Sequence, residues 1–359
     1  MALDLVRRAL RRTAGLAGRA RPWWVPRTVV WEVTYACPLR CVHCYSESGR
    51  RAARHLSAPE VLRVAEAIAA IRPAPRVVLS GGEPLVVPGI LDAVDHLRSA
   101  GSAVDLYTSG WGLRADVARR VVDLFTRIGV SIDGADEETN DRLRGKRGAF
   151  REAARALDLF GEIAARRRRR VPFGIEFTVM RSNRDHVDRF CSDIVPRFPR
   201  LAHVTFGAVM PEGFASRPDF VDAELLGEAD LAALRASKAR LRRLVPRRVR
   251  VEVVDNLAYQ FRPDQVARAR AADHQMKVEP DGRVRAMDAY EGTVGNLLEE
   301  PAAALWARAR ERLADPFVTR TLGAIRTSRD WADATRRIDL RFADPDDHAR
   351  VAARMESRS

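Results

Sequence analysis

Six short apolar runs, each ending in Gly, Ser, Asp or a polar loop, constrain this chain more than any other feature. They are TVVWEVT (28–34), RVVLSGGEP (76–84), AVDLYTSG (103–110), RIGVSIDG (127–134), FGIEFTVM (173–180) and LAHVTFGAVM (201–210). Stretches with apolar residues at helical spacing separate them: SAPEVLRVAEAIAAI (57–71), GILDAVDHLRSA (89–100), RADVARRVVDLF (114–125), FREAARALDLFGEIAARR (150–167) and RDHVDRFCSDIVPRF (184–198). Ser57 and Pro59 mark the start of the first of these helices. Strand–helix alternation of this length specifies an α/β fold, a parallel sheet with helices outside. The carboxyl ends of such strands form the edge where sites are built.

The alternation stops near residue 215. AELLGEADLAALRASKARLRRL (223–244) reads as one long helix, RVRVEVVD (248–255) as a strand, and MKVEPDGRVRAM (276–287) as a hairpin about Pro-Asp-Gly. EPAAALWARARERL (300–313) reads as a helix. The expected division is an N-terminal arm (1–27), a core barrel (28–215), an α+β extension (216–334) and a charged, peripheral tail (335–359).

Three of the four cysteines, Cys37, Cys41 and Cys44, fall in YACPLRCVHCYSE, directly after the first strand. Four cysteines in 359 residues make no disulfide framework, and a tight cluster points to metal or redox chemistry. A structural zinc site needs four ligands, usually in two separated pairs, and no second pair exists here. A [4Fe–4S] cluster fits better: three thiolates hold three irons and the fourth iron stays open for a ligand. His43, between two of the cysteines, reads as loop packing.

Charge excludes little. The net charge is +14 and nearly all of it is arginine, lysine occurring only at 146, 238 and 277. The densest run, Arg166–Arg170, reads as a solvated loop, and no nucleic-acid motif accompanies it, so no specific nucleic-acid partner is expected. No apolar run reaches the ~20 residues of a membrane span. The basic N-terminus lacks a secretory pattern, so the expected location is the cytoplasm. Trp23 and Trp24 are expected to clamp the arm onto the barrel.

The motif CPLRCVHC at the end of a first strand resembles the CxxxCxxC signature of the radical S-adenosylmethionine superfamily. The resemblance covers about residues 28–215, and more weakly to about 307. It implies a partial (β/α)6 TIM-like barrel, one [4Fe–4S] cluster on Cys37, Cys41 and Cys44, and S-adenosylmethionine as cofactor. SGGEP (80–84) resembles the motif that holds the methionine amino group through Gly81, Gly82 and Glu83. LYTSG (106–110) resembles the ribose strand, with Thr108 and Ser109. VSIDG and DRLRG place Ser131 and Arg144 on the methionine carboxylate, VMRSN places Asn183 toward the cofactor, and VMPEG (209–213) lies near the adenine. The implied chemistry is reductive cleavage to a 5′-deoxyadenosyl radical that takes a hydrogen atom from substrate. The implied partner is a one-electron donor such as flavodoxin or ferredoxin.

Residues 274–306 resemble the SPASM/twitch extension of the same superfamily. Its hairpin cysteine is replaced by Met287, and no cysteine follows Cys191. An auxiliary cluster is therefore not expected, unless a ligand such as His274 or Asp288 substitutes. Cys191 shares a helical face with Val187, Phe190, Ile194 and Val195 and reads as core rather than hydrogen donor; Tyr107, Tyr259 and Tyr290 are the other donor candidates. The leading functional expectation is modification of a peptide or protein side chain in natural-product maturation. The alternatives are epimerisation or dehydration of a small aminocyclitol or sugar, and a non-catalytic iron–sulfur partner subunit.

Overall fold

The computed structural model describes residues 25–54, 56–167, 172–264 and 275–356. Trp23, Trp24, His274 and most of the Arg166–Arg170 run lie outside them. Strands β1 (Thr28–Glu32), β2 (Arg76–Ser80), β3 (Val104–Thr108), β4 (Arg127–Ser131), β5 (Phe173–Val179) and β6 (His203–Ala208) are the six predicted runs. They pair in parallel, in chain order. The result is the expected partial TIM-like barrel.

Two strands from the segment assigned to the extension enlarge it. β7 (Arg250–Val254) pairs in parallel with β6, and β8 (Gln275–Val278) pairs in parallel with β1. β9 (Arg283–Arg285) and β10 (Thr293–Asn296) continue antiparallel, giving the order β10-β9-β8-β1-β2-β3-β4-β5-β6-β7. β7 and β8 are not neighbours, so the parallel array is open between them.

Each strand divides its side chains by the two-residue period of a pleat. On β1, Val29 and Trp31 are buried under the helices, whereas Thr28 and Val30 line the interior. On β2 the interior residues are Arg76, Val78 and Ser80; on β8 they are Gln275 and Lys277. At the amino ends the interior is closed by charge. Arg127 donates to Glu176 (2.9 Å), Glu252 (3.3 Å), Thr205 (2.9 Å) and His203 (3.1 Å), and Arg76 Nε donates to Asp105 (2.7 Å).

The outer helices are α1 (Ala58–Ala69), α2 (Ile90–Ser99), α3 (Ala115–Leu124), α4 (Glu137–Arg144), α5 (Ala149–Ala165) and α6 (His186–Arg189), the last continuing through a π-turn at Phe190–Ile194. Glu60 accepts from the backbone and hydroxyl of Ser57, which fixes the start of α1. A short helix, α7 (Pro218–Ala223), comes first, and the expected helix 223–244 starts later, as α8 (Glu228–Leu244) after Gly227.

The tail is not peripheral. After α9 (Ala302–Leu313) and α10 (Pro316–Gly323) come α11 (Ser328–Phe342) and α12 (Pro345–Glu356). Asp339, Asp347 and Arg354 on these last helices are buried. Trp331 and Ile338 of α11 join Met287, Tyr290, Phe261, Val318 and Leu322 in a second apolar core. Met287, which the SPASM-like resemblance sets in place of a hairpin cysteine, is thus a packed core side chain.

Candidate functional site

The carboxyl ends of the strands open on a cavity of about 720 Å³. Cys37, Cys41 and Cys44 line it together with Gly81, Gly82, Thr108, Ser109, Ser131 and Arg144. Sequence-predicted residues from four strand ends therefore meet in one place.

The cysteine loop is held by backbone contacts on both sides. Arg40 N and Val42 N donate to the carbonyls of Arg144 and Leu143, the otherwise unpaired carboxyl end of α4. Gly145 ends that helix at φ 64°, and a Cβ there would lie 2.1 Å from Arg40 O. On the other side, Gly82 N donates to Thr34 O and Glu83 N to Ala36 O. A Cβ on Gly82 would sit 2.0 Å from Ala36 O, so only glycine allows this approach. Phe214 N, after β6, donates to Cys44 O.

Burial pushes the Cys37 thiol up to about 12 and the Cys41 thiol up to about 11, and raises Cys44 as well. Such thiols become thiolates when a metal supplies the compensating charge. Among the described residues no three His, Cys, Asp or Glu side chains are grouped to hold a single metal ion. Three thiols around one cavity that are not grouped about a single ion fit a polynuclear cluster better than one zinc. Gly81, Gly82 and His43 line the same cavity, and the buried His43 Nδ1 makes no hydrogen bond.

Asp133 organises the far wall and was not singled out from the sequence. It is fully buried; its Oδ1 accepts from Thr178 N (2.7 Å), and its Oδ2 lies 2.8 Å from Arg144 Nε and 3.3 Å from His43 Nε2. Arg144 Nη1 in turn points at Cys41 Sγ (3.9 Å). Burial alone would lower the Arg144 pKa, but Asp133 and Cys41 raise it. Burial lowers His43 to about 4, so its imidazole is neutral at pH 7.

Glu83 is buried, and all its acceptor positions are used. Oε1 takes Thr108 Oγ1 (2.7 Å) and Leu85 N (3.3 Å); Oε2 takes Ser109 N (2.8 Å) and Ser109 Oγ (2.6 Å). The structure thus ties Glu83 to the Thr108–Ser109 strand end. Asn183 departs from expectation more fully. It is completely buried off the cavity, accepts from Met180 N (2.7 Å), and donates to Asp133 O and Thr178 O (2.9 Å each). It braces the ends of β4 and β5 and does not face the cofactor space. Cys191 is fully buried, as expected, and Tyr290 is too.

A second set of polar residues completes the wall between β6–β7 and β8: Glu212, Asn256, Tyr259, Gln275, Lys277 and Asp288. Lys277 is buried beside Glu32 (3.4 Å), donates to Asp288 O (3.0 Å) and stands over the Tyr45 ring. Gln275 Nε2 donates to Tyr259 Oη (2.7 Å).

Comparison with known proteins agrees with this geometry. Residues 31–191 match the Radical SAM superfamily. The chain is 33% identical over 166 residues to the AdoMet-dependent heme synthase of Methanosarcina barkeri, covering 46% of this chain and 46% of that protein. It is 33% identical over 181 residues to the mycofactocin maturase MftC of Mycolicibacterium smegmatis, covering 50% of this chain and 44% of that one. The match thus spans less than half the length of these relatives. Among solved structures, Streptococcus suis SuiB bound to precursor peptide SuiA superimposes with a TM-score of 0.61 at 14% identity, covering 90% of this chain and 72% of that chain. That likeness concerns the fold. The superfamily uses a [4Fe–4S] cluster and S-adenosylmethionine, and the three thiols and glycine cradle suit that pair. No helix among the described residues is long and apolar enough to cross a membrane.

Proposed function

Since residues 31–191 form a domain of the radical SAM superfamily, we propose that the chain is a radical enzyme acting on a peptide or protein side chain. The observation that carries the enzymatic reading is the convergence of Cys37, Cys41, Cys44, Ser131, Arg144 and the Gly81–Gly82 cradle on one cavity. Similarity to a mycofactocin maturase, and a fold like that of SuiB, support the peptide substrate. Similarity to an AdoMet-dependent heme synthase favours a second reading, a large non-peptide substrate.

Cys37, Cys41 and Cys44 would hold three irons, and Gly81, Gly82, Thr108, Ser109, Ser131 and Arg144 would surround the sulfonium cofactor. When bound, that pair supplies one-electron cleavage of a carbon–sulfur bond and the hydrogen-atom abstraction that follows. The chain's own residues bind, orient and shield. Arg144, held by Asp133, presents a fixed positive charge suited to a carboxylate. Glu83 fixes the Thr108 and Ser109 hydroxyls; an ammonium reaches its carboxylate only by displacing one of four donors. The Arg127 network closes the amino end of the barrel against water and competing reactants. A flavodoxin- or ferredoxin-like protein would deliver the electron. The SPASM/twitch-like reading of residues 274–306 rests on the hairpin and following helix; without cysteines there, an auxiliary cluster is not part of the proposal.

The test is anaerobic reconstitution with iron and sulfide, addition of reductant and S-adenosylmethionine, and quantification of 5′-deoxyadenosine beside Cys41→Ala. Formation in the parent and its loss in the variant, by more than about a hundredfold, is expected. Equal yields from both proteins, or a chain that retains zinc and excludes iron, would sink the reading.

A further inference from the structure

The wall between β6 and β8 holds charge to which the cofactor reading gives no role, beyond setting VMPEG (209–213) near the adenine. Glu212 is 4% exposed and lines the cavity, yet its carboxyl accepts no hydrogen bond among the described residues. The Asp288 carboxyl also lines the cavity and accepts no hydrogen bond among the described residues; Lys277 donates to its backbone carbonyl (3.0 Å) and stands 4.0 Å from its Oδ1. Lys277 directs its ammonium at that carbonyl and at Glu32, whose Oε1 is itself buried without a hydrogen bond. The next cation, Arg285, is committed to Glu279 (2.8 Å) and Glu291 (3.2 Å). One ammonium therefore faces the three carboxyls of Glu32, Glu212 and Asp288, in a chain whose net charge is +14.

We infer that Glu212 and Asp288, flanking Lys277 on the cavity wall, form a subsite for a positively charged group of the substrate, a primary ammonium or a guanidinium. Buried Glu212 and half-buried Asp288 present carboxyls that accept no hydrogen bond on the cavity wall, and a cationic group supplies both the hydrogen bonds and the opposite charge. Burial, with Asp288 adding to it and Lys277 opposing, pushes Glu212 up to about 8. The site is therefore ready to give up a proton as a cation enters. Lys277 stays fixed between Glu32 and Asp288. On the peptide reading, on which this part of the inference rests, the cation is a lysine or arginine side chain.

The test uses the full chain, anaerobically reconstituted, at constant ionic strength near pH 7.5. Saturation-transfer NMR compares Nα-acetyl-lysine methylamide with the neutral Nα-acetyl-norleucine methylamide, and n-butylammonium with n-butanol. Both cations are expected to bind at least about fivefold tighter than their neutral counterparts. Glu212→Gln/Asp288→Asn is expected to erase the preference while iron content holds and the thermal midpoint does not fall. If the double variant loads iron poorly, Glu212→Gln alone is read, with at least half the preference expected to go. Equal binding of charged and neutral probes, or a preference untouched by the substitutions, overturns the subsite. A preference for butylammonium without one for the lysine amide upholds the subsite and counts against a peptide substrate.

Discussion

The cavity wall at Glu212 and Asp288 and the layer beneath the C-terminal helices are built from the same residue types, and they differ in how completely charge is paired. Under α12, Arg350 meets Glu291 (3.0 Å), Asp347 (3.2 Å) and Glu47, while Arg354 meets Asp339 (2.9 Å), Glu47 and Glu291. Arg54 bridges Glu279 (3.0 Å) and Asp347 (2.9 Å), and Arg51 adds a second contact to Asp347 (3.0 Å). Each of these carboxylates has at least one guanidinium, whose planar fork suits them. On the cavity wall the carboxyls wait. Buried charge that is internally matched is scaffold, and buried charge left unmatched beside a cavity is where recognition is built. The two regions are also joined: Glu47, at φ 54°, lies three residues after Cys44, so the layer braces the cysteine loop from beneath.

The largest way to break this comparison is Arg354→Met. The side chain nearly fills its site, but Asp339 loses its guanidinium and Glu47 and Glu291 each lose one of theirs. Removing one partner from a buried ionic group costs about 3–5 kcal/mol, which urea unfolding would report. Reconstituted iron should fall with it, because Glu47, left with Arg350 alone, fixes the loop less firmly. A loss under about 1 kcal/mol would mean the layer behaves as exposed surface pairs do, and the distinction would collapse.

A smaller effect separates the regions by pH. Burial raises Glu212 from its ordinary 4.5 to about 8; Lys277 and Arg285 oppose this, and Asp288 and Glu32 add to it. A group with a raised folded pKa gives its full stability below about pH 4.5 and loses it as pH rises toward 8. Glu291 has the opposite sign. Burial would raise it, but Arg285, Arg354 and Arg350 overcome this and hold it well below the usual range. Its contribution is present above the usual carboxylate range and is lost in acid. Glu212→Gln should therefore gain stability above pH 8, on the order of a few kcal/mol, and leave the acid limb unchanged. Chemical unfolding at pH 5, 7 and 9 checks this; a uniform shift at all three would deny that Glu212 is the unmatched group.

Much of the cavity was legible in the sequence because its cysteines, glycines and Arg144 sit at strand ends, and strand ends follow from apolar runs. The residues that escaped act across distance. Arg350 and Glu47 are 303 positions apart, so α12 read as a charged tail although Arg354 is buried and Arg350 half-buried. Asp133 looked like part of a strand–turn boundary; nothing local shows that it would hold Arg144 and His43. The inward charges Arg76, Asp105, Arg127 and Glu176 did leave a trace, as polar residues at alternate positions within apolar runs. Lys277 left another: it is one of only three lysines among 62 basic residues. Asn183 was misread because a polar residue after a strand can serve a ligand or the backbone with equal ease.

The smallest effect concerns the thiol that stands apart. Cys191 is fully exposed to neither region: it is 0% accessible, lies in the main apolar core, and follows Phe190, which packs edge-on against Phe177 and Phe206. Burial pushes its thiol up to about 12, and it does not line the cavity. A residue so placed contributes packing alone. Cys191→Ala should cost about 1 kcal/mol, the price of one small void. The 5′-deoxyadenosine yield should stay within about twofold, and so should deuterium uptake into any product formed in deuterated water. Stability is read by urea unfolding and the isotope by mass spectrometry. A collapse of deuterium uptake with stability intact would make Cys191 a hydrogen donor and would require the core around Phe190 to open onto the cavity during turnover. The matched and unmatched regions would then no longer be separable by burial, since a side chain sealed in the core would be taking part in the chemistry.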